Sequence, residues 1–194
     1  MQQEITSFQQ EYLAELEIAE TQLLALADAV PEESYGWSPV LGARSFSAVL
    51  VHIAVGNFLL LYRAGVRIPA VTNLYGSIEG QPVARVVAII RKNVAMEGTI
   101  VAKSEVVDLL RRSFQTVAEA MAGVTPDDLE VRGNFFGKPE AVRRLYLRML
   151  THSHEHMGQA TAYLRFMGRK VPWPDPLKHL DRVAVSEAAH QLTA

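Results

Sequence analysis

Four stretches of the chain return apolar side chains at helical spacing, and Pro, Gly and Ser punctuate the sequence between them. This pattern constrains the fold most, because each such stretch needs a partner for its buried face. Over 3–29 the spacing aligns Phe8, Tyr12, Leu16, Ala19, Leu23 and Leu26. Pro31 ends that helix by disfavouring helical geometry in the residue before it. A second helix is expected over roughly 46–65, with Ser45 as N-cap and Phe46, Val49, Leu50, Ile53, Asn57, Leu60 and Leu61 along one side. A third runs over 105–122 and stops at Gly123. The fourth, 139–167, takes Pro139 as its first residue, where the missing N–H costs nothing, and closes at Gly168. The connections are less regular. Residues 66–82, with Pro69, Gly76, Gly80 and Pro82, read as an irregular link. "ARVVAIIRKNVAM" fits a strand or a short helix, and we read it as a short helix. "TPDDLEVRGNFFGK" reads as a loop with one helical turn near Asp127, and the tail after "VPWPDP" as a surface wrap with a short helix at 184–192. The expected fold is all-α: a four-helix bundle with a longer crossover over residues 1–170, followed by a tail over 171–194.

Composition removes several classes of chemistry. The 194 residues suit one domain with a sizeable core. There is no cysteine, so disulfides, thiolate ligands and Cys nucleophiles are excluded. Nineteen Lys and Arg face 21 Asp and Glu, a net charge of -2 that offers no broad attraction to nucleic acid or an anionic membrane. Arg143, Arg144 and Arg148 read as a solvated helix face. The acidic start "MQQEITSFQQEYLAELE" has no signal-peptide apolar core, and "SAVLVHIAVGNFLLLY" is too short to span a bilayer, so a cytoplasmic protein is expected.

The segment "THSHEHMGQATAYLRFMG" carries three of the six histidines. His152 and His156 are four apart, which on a helix separates them by ~40° around the axis and ~6 Å along it, so both rings can reach one ion. His154 lies ~200° from His152 and points elsewhere. Two imidazoles usually need a third ligand. His52 sits mid-helix in an apolar stretch and must find some partner. The three together would leave one side of an ion open, as in catalytic rather than closed sites. From spacing alone, a polar helix face and a hydrogen-bonded core histidine explain the same residues. Gln159, one turn past His156, could support a ligand or be a packed polar group. Asn57, five residues after His52, could do the same or simply bridge helices. Glu155, ~100° from His156, is a poor ligand. Tyr35 and Trp37 could wall a pocket, with core packing as the plainer reading.

Two segments, "PEESYGWSPVLGARSFSAVLVHIAVGN" and "HSHEHMGQATAYLRFMG", occur in this order and resemble the DinB/YfiT-like family of small four-helix bundle proteins regarded as metalloenzymes. The resemblance spans about 30–168 and is weak between 66 and 103. It implies a divalent metal held by His52, His152 and His156, with zinc or nickel preferred and iron or manganese possible from the donor set. Some relatives are thiol-dependent, so the resemblance also implies a small-molecule substrate, a low-molecular-weight thiol and S-transfer to an electrophile. The alternatives are a metal-dependent hydrolase, or a non-catalytic stress-response homodimer with a structural metal, which apolar residues exposed on the first helix would favour. Met157 stands where relatives often have Arg, so an anion-binding role there stays open.

Overall fold

The structure, a computed structural model, describes residues 7–75, 82–135 and 138–174. Its frame is four long helices: α1 (Phe8–Ala29), α2 (Phe46–Arg63), α5 (Lys103–Ala122) and α7 (Val142–Phe166). α1 and α2 each pack against both α5 and α7, so they occupy opposite corners of the bundle. Local chemistry sets the ends. Ser7 and Gln10 form a reciprocal capping box at the start of α1. Val30 takes extended geometry before Pro31. Ser45 accepts the Ala48 amide at the start of α2. Gly168, at φ 72°, lets the chain leave α7 while the Gly168 and Arg169 amides reach back to Arg165 and Leu164 carbonyls.

α2 is the centre of the molecule. Of its residues, Val51, Ala54, Val55 and Phe58 are buried as well as the face expected from the sequence. It is the one described helix long and apolar enough to cross a membrane, yet 78% of it is buried against its neighbours, which is how a core helix looks.

The connection from α2 to α5 differs most from the sequence reading. The link expected to be irregular contains α3 (Pro69–Tyr75). The ambiguous β-branched run is α4 (Pro82–Thr99), 18 residues long, and it packs against α2. Docking on α2 resolves the ambiguity that local composition could not, since helix stability comes mainly from burying one face. A second difference lies before α7. After α6 (Pro126–Glu130), strands β1 (Arg132–Phe135) and β2 (Lys138–Ala141) form an antiparallel hairpin. Pro139 therefore does not open the last helix. It sits in β2 opposite Asn134, and α7 begins at Val142. A proline holds the residue before it extended, and each strand of a two-stranded ribbon has a free edge where a missing N–H is tolerated. The helix expected at 184–192 and residues 1–6 lie outside the described residues.

Candidate metal centre

The middle of α2 and the middle of α7 face each other, and there the structure brings His52, His152 and His156 together. Their ring centroids form a near-equilateral triangle with sides of 4.9, 4.5 and 4.7 Å. One nitrogen from each ring lies within 4.8 Å of the other two. His52 Nε2 and His152 Nε2 are 3.1 Å apart. Two nitrogens on one tetrahedral zinc, each about 2.0–2.1 Å from it, stand about 3.3 Å apart, so this spacing fits a shared ion. His154 stays outside: it is exposed and its Nδ1 donates to the Leu150 carbonyl at 2.9 Å.

Each ring is fixed by a different neighbour. His52 Nδ1 is 2.7 Å from Glu97 Oε1, and Arg44 Nε donates to Glu97 Oε2 at 2.6 Å. Burial of Glu97 raises its carboxyl pKa, but the hydrogen bonds from His52 and Arg44 and their charges outweigh burial and hold it below the usual carboxylate range. An ionised carboxylate only accepts, so His52 Nδ1 carries the proton it donates and Nε2 is the nitrogen turned toward the other two rings. His156 Nδ1 donates to Gln159 Oε1 at 2.9 Å, and Gln159 Nε2 donates to the Tyr163 hydroxyl at 2.9 Å. Trp37 packs edge-on against Tyr163, with centroids 5.5 Å apart. His156 Nε2 is thereby the bare nitrogen.

His152 has no such polar support. Its Nδ1 is buried without a hydrogen-bond partner. Its ring packs closely against Gly56 of α2, where a Cβ would stand 2.6 Å from His152 Cε1 and 3.0 Å from Nδ1. Burial, then repulsion from His52, His156 and Arg148, pushes the His152 pKa down to about 3, with Glu155 opposing. Burial also lowers His156, against the Gln159 hydrogen bond. Both rings are neutral near pH 7, the form a metal needs. The donor set therefore fits a divalent ion: three imidazoles, two of them held by an acceptor on Nδ1, converging from two helices.

The other sequence candidates divide. Gln159 supports His156, as described. Asn57 does not reach the histidines: its Nδ2 donates to Ser113 Oγ on α5 at 3.3 Å, a helix-to-helix bridge. Tyr35 is core, edge-on to Phe46 with its hydroxyl on the Ala27 carbonyl. Arg143, Arg144 and Arg148 are paired with Glu130, Glu140 and Glu155. The sequence reading missed Glu97, Arg44 and Gly56. A signal existed on α4: Ile89, Asn93 and Glu97 step by four residues, and all three are buried, two of them polar.

Two expectations follow from this geometry. Glu97→Gln keeps the shape of the side chain but removes the charge behind His52. It should weaken metal binding by roughly 10–100-fold with the fold intact, read by competition with a chromophoric chelator. Unchanged affinity would mean that Glu97 serves only Arg44. The second concerns acid. In metal-free protein the folded state keeps His152 neutral down to about pH 3, while the unfolded chain takes up the proton near 6.5. Between those values the unfolded state binds more protons, so stability falls as pH falls. Glu97, depressed in the folded state, adds to the loss at the lower end. Thermal unfolding of chelated protein should show Tm dropping from pH 7 to pH 4, and less steeply in His152→Leu.

The comparisons agree with this frame. The family model described as the DinB superfamily matches residues 15–160. A solved DinB-like protein from Bacillus cereus is similar at 19% identity and TM-score 0.66, covering 86% of this chain and 97% of that one. A DinB-like protein (YjoA) from Bacillus subtilis is similar at 14% identity and TM-score 0.51, covering 84% and 96%. At these identities the likeness shows the fold. None of the curated proteins matches the chain.

Proposed function

The chain belongs to the DinB superfamily, and from that premise we propose that it is a divalent-metal-dependent enzyme that joins a low-molecular-weight thiol to a small electrophile. The observation that carries this reading is the convergence of three imidazoles from α2 and α7 beside a cavity of about 280 Å³. His52, His152 and His156 would hold the ion. When bound, a divalent ion supplies charge that acidifies a thiol or water and polarises a carbonyl.

The surrounding residues favour a thiol over water. Glu97 is engaged by both His52 and Arg44, so it orients a ring and is not free to carry protons as a general base. Hydrolysis needs such a base more than thiol transfer does, because a thiol ionises far more readily than water. The Arg44–Glu97 pair is neutral overall, so the ion's charge stays uncompensated by the imidazoles and attracts a thiolate. The sulfur must come from a small molecule, since the chain has no cysteine.

The test is direct. Protein purified with its metal is mixed with a bacillithiol-type or mycothiol-type thiol and a model electrophile. Conjugation that disappears on chelation and returns with metal supports the enzyme. No metal-dependent conjugation with either thiol rejects it. A second reading, a non-catalytic homodimer, has one observation in its favour, although not on α1, where Ile18 is the one exposed large apolar side chain among the described residues. On α4, Val83, Val87, Ile90 and Val94 are exposed at 4-3-4 spacing, the seam of a helix pair. Sedimentation across a concentration series, with Val87→Glu as control, tests that pairing.

A further inference from the structure

The connection from Trp37 to Phe46 leads into α2 and reaches the metal centre by two separate routes. Near its end, Arg44 Nε donates to Glu97 Oε2 at 2.6 Å, and Glu97 Oε1 accepts from His52 Nδ1 at 2.7 Å. At its start, the Trp37 ring stands edge-on to Tyr163. The Tyr163 hydroxyl accepts from Gln159 Nε2, and Gln159 Oε1 accepts from His156 Nδ1. The supports of His52 and His156 stand on different helices, α4 and α7, yet both lead back to one loop. His152 is outside this arrangement, since its Nδ1 has no hydrogen-bond partner.

The loop is closed at its base and little packed above it. The Phe46 amide donates to the Trp37 carbonyl at 2.9 Å, and the Ser47 amide to the Tyr35 carbonyl at 2.9 Å. Within the loop, the Ala43 amide donates to the Val40 carbonyl at 3.2 Å. Val40 is 66% exposed and Leu41 fully so. Gly42 holds φ 86°, with open space where a side chain would begin. A segment with so few buried contacts opens easily unless its side chains tie it down. Arg44 and Trp37 are those ties, and each relay ends on a ring of the centre. An ion shared by the rings would fix His52 and His156 together, and through them Glu97 and Gln159.

We propose that residues 37–46 form the positioning loop of the metal centre, with Arg44 and Trp37 as positioning residues, and that order in this loop and occupancy of the centre are linked. Such linkage is reciprocal. An ion that steadies both relays steadies the loop, and a loop held in place presents both rings to the ion. The proposal rests on the histidines holding the ion, but the linkage is a separate claim and fails separately.

Hydrogen exchange read by mass spectrometry on the full chain, chelated and then reloaded with zinc, reports on the loop directly. Peptides covering 38–45 should exchange at least about tenfold more slowly with zinc. Exposed loop amides exchange by local opening, so a gain there is distinct from the global stabilisation that any ligand brings. Gly42→Ala tests the opposite direction. Its methyl meets nothing and acts only by disfavouring the left-handed backbone, so zinc affinity should fall about fivefold or more. Arg44→Met should lose most of the zinc-induced protection and change the visible spectrum of the cobalt(II)-loaded protein, which reports ligand geometry. Arg44→Lys, which keeps a charged donor toward Glu97, should restore much of both. Zinc-loaded wild type with unchanged exchange at 38–45 overturns the proposal and leaves the three-histidine site standing. Wild-type zinc affinity in Gly42→Ala, or a wild-type cobalt spectrum in Arg44→Met, does the same. Wild type that takes up no zinc or cobalt overturns the proposal together with the metal reading.

Discussion

His52→Ala, His152→Ala and His156→Ala should each purify with less than about a tenth of the wild-type metal content, and each should still fold. Three-ligand binding leaves no redundancy. Structural zinc sites with four ligands are worth roughly 10–16 kcal/mol, so one ligand carries on the order of 3 kcal/mol, roughly a hundredfold in affinity. The fold should survive because the three rings are half-buried at the side of the cavity, whereas the packing of α2 on α5 and α7 rests on Leu50, Ile53, Phe114 and Leu145. The variants should differ in metal-free stability. His152→Ala removes a buried nitrogen that has no partner, which offsets the lost packing. His52→Ala leaves Glu97 buried with Arg44 alone, the less favourable case. Elemental analysis and circular dichroism on the same samples check both points. Full occupancy in any one variant would remove that residue from the ligand set.

Gly56→Ala should uncouple metal binding from stability. Glycine inside a helix costs roughly 0.5–1 kcal/mol relative to alanine, so local propensity favours the change. The new methyl would lie 2.6 Å from His152 Cε1, well inside van der Waals contact, so the imidazole must move. It can swing away because it is a side chain, and it has no hydrogen bond on Nδ1 to hold it. A displaced ring no longer points its Nε2 where the other two converge. We expect metal affinity to drop at least about tenfold, ~1.4 kcal/mol, while the Tm of metal-free protein stays level or rises. A Gly56→Ala protein with wild-type affinity would show that His152 has more room than this packing allows. The same substitution with a collapsed Tm would mean that backbone, and not the ring, gives way.

Much of this was legible in the sequence for a definite reason. α1, α2, α5 and α7 bury one face or nearly all of their surface, and such helices write their period into the chain. The same arithmetic separated His154 from His152 and His156 without any coordinates. The supports of the site were not legible in that way. Glu97 reaches His52 only because α4 docks antiparallel on α2, and nothing local in "RKNVAMEG" encodes that docking. Gly56 looked like an ordinary small residue in an apolar helix until α7 was laid across it. Asn57 shows the reverse: of its two readings, ligand support and a helix-to-helix bridge, the bridge holds, since it lies five residues from His52 along the chain yet bonds Ser113 of α5. Pro139 fitted two rules at once, the first residue of a helix and the edge of a ribbon, and pairing with β1 selected the second.

Anomalous diffraction from crystals of the protein as purified, collected on both sides of the metal absorption edge, tests the three-histidine centre most directly. A single strong peak is expected, about 2.0–2.2 Å from one nitrogen each of His52, His152 and His156, with Glu97 behind the first and Gln159 behind the last. A peak elsewhere, or an empty site in protein that elemental analysis shows to carry metal, would contradict it.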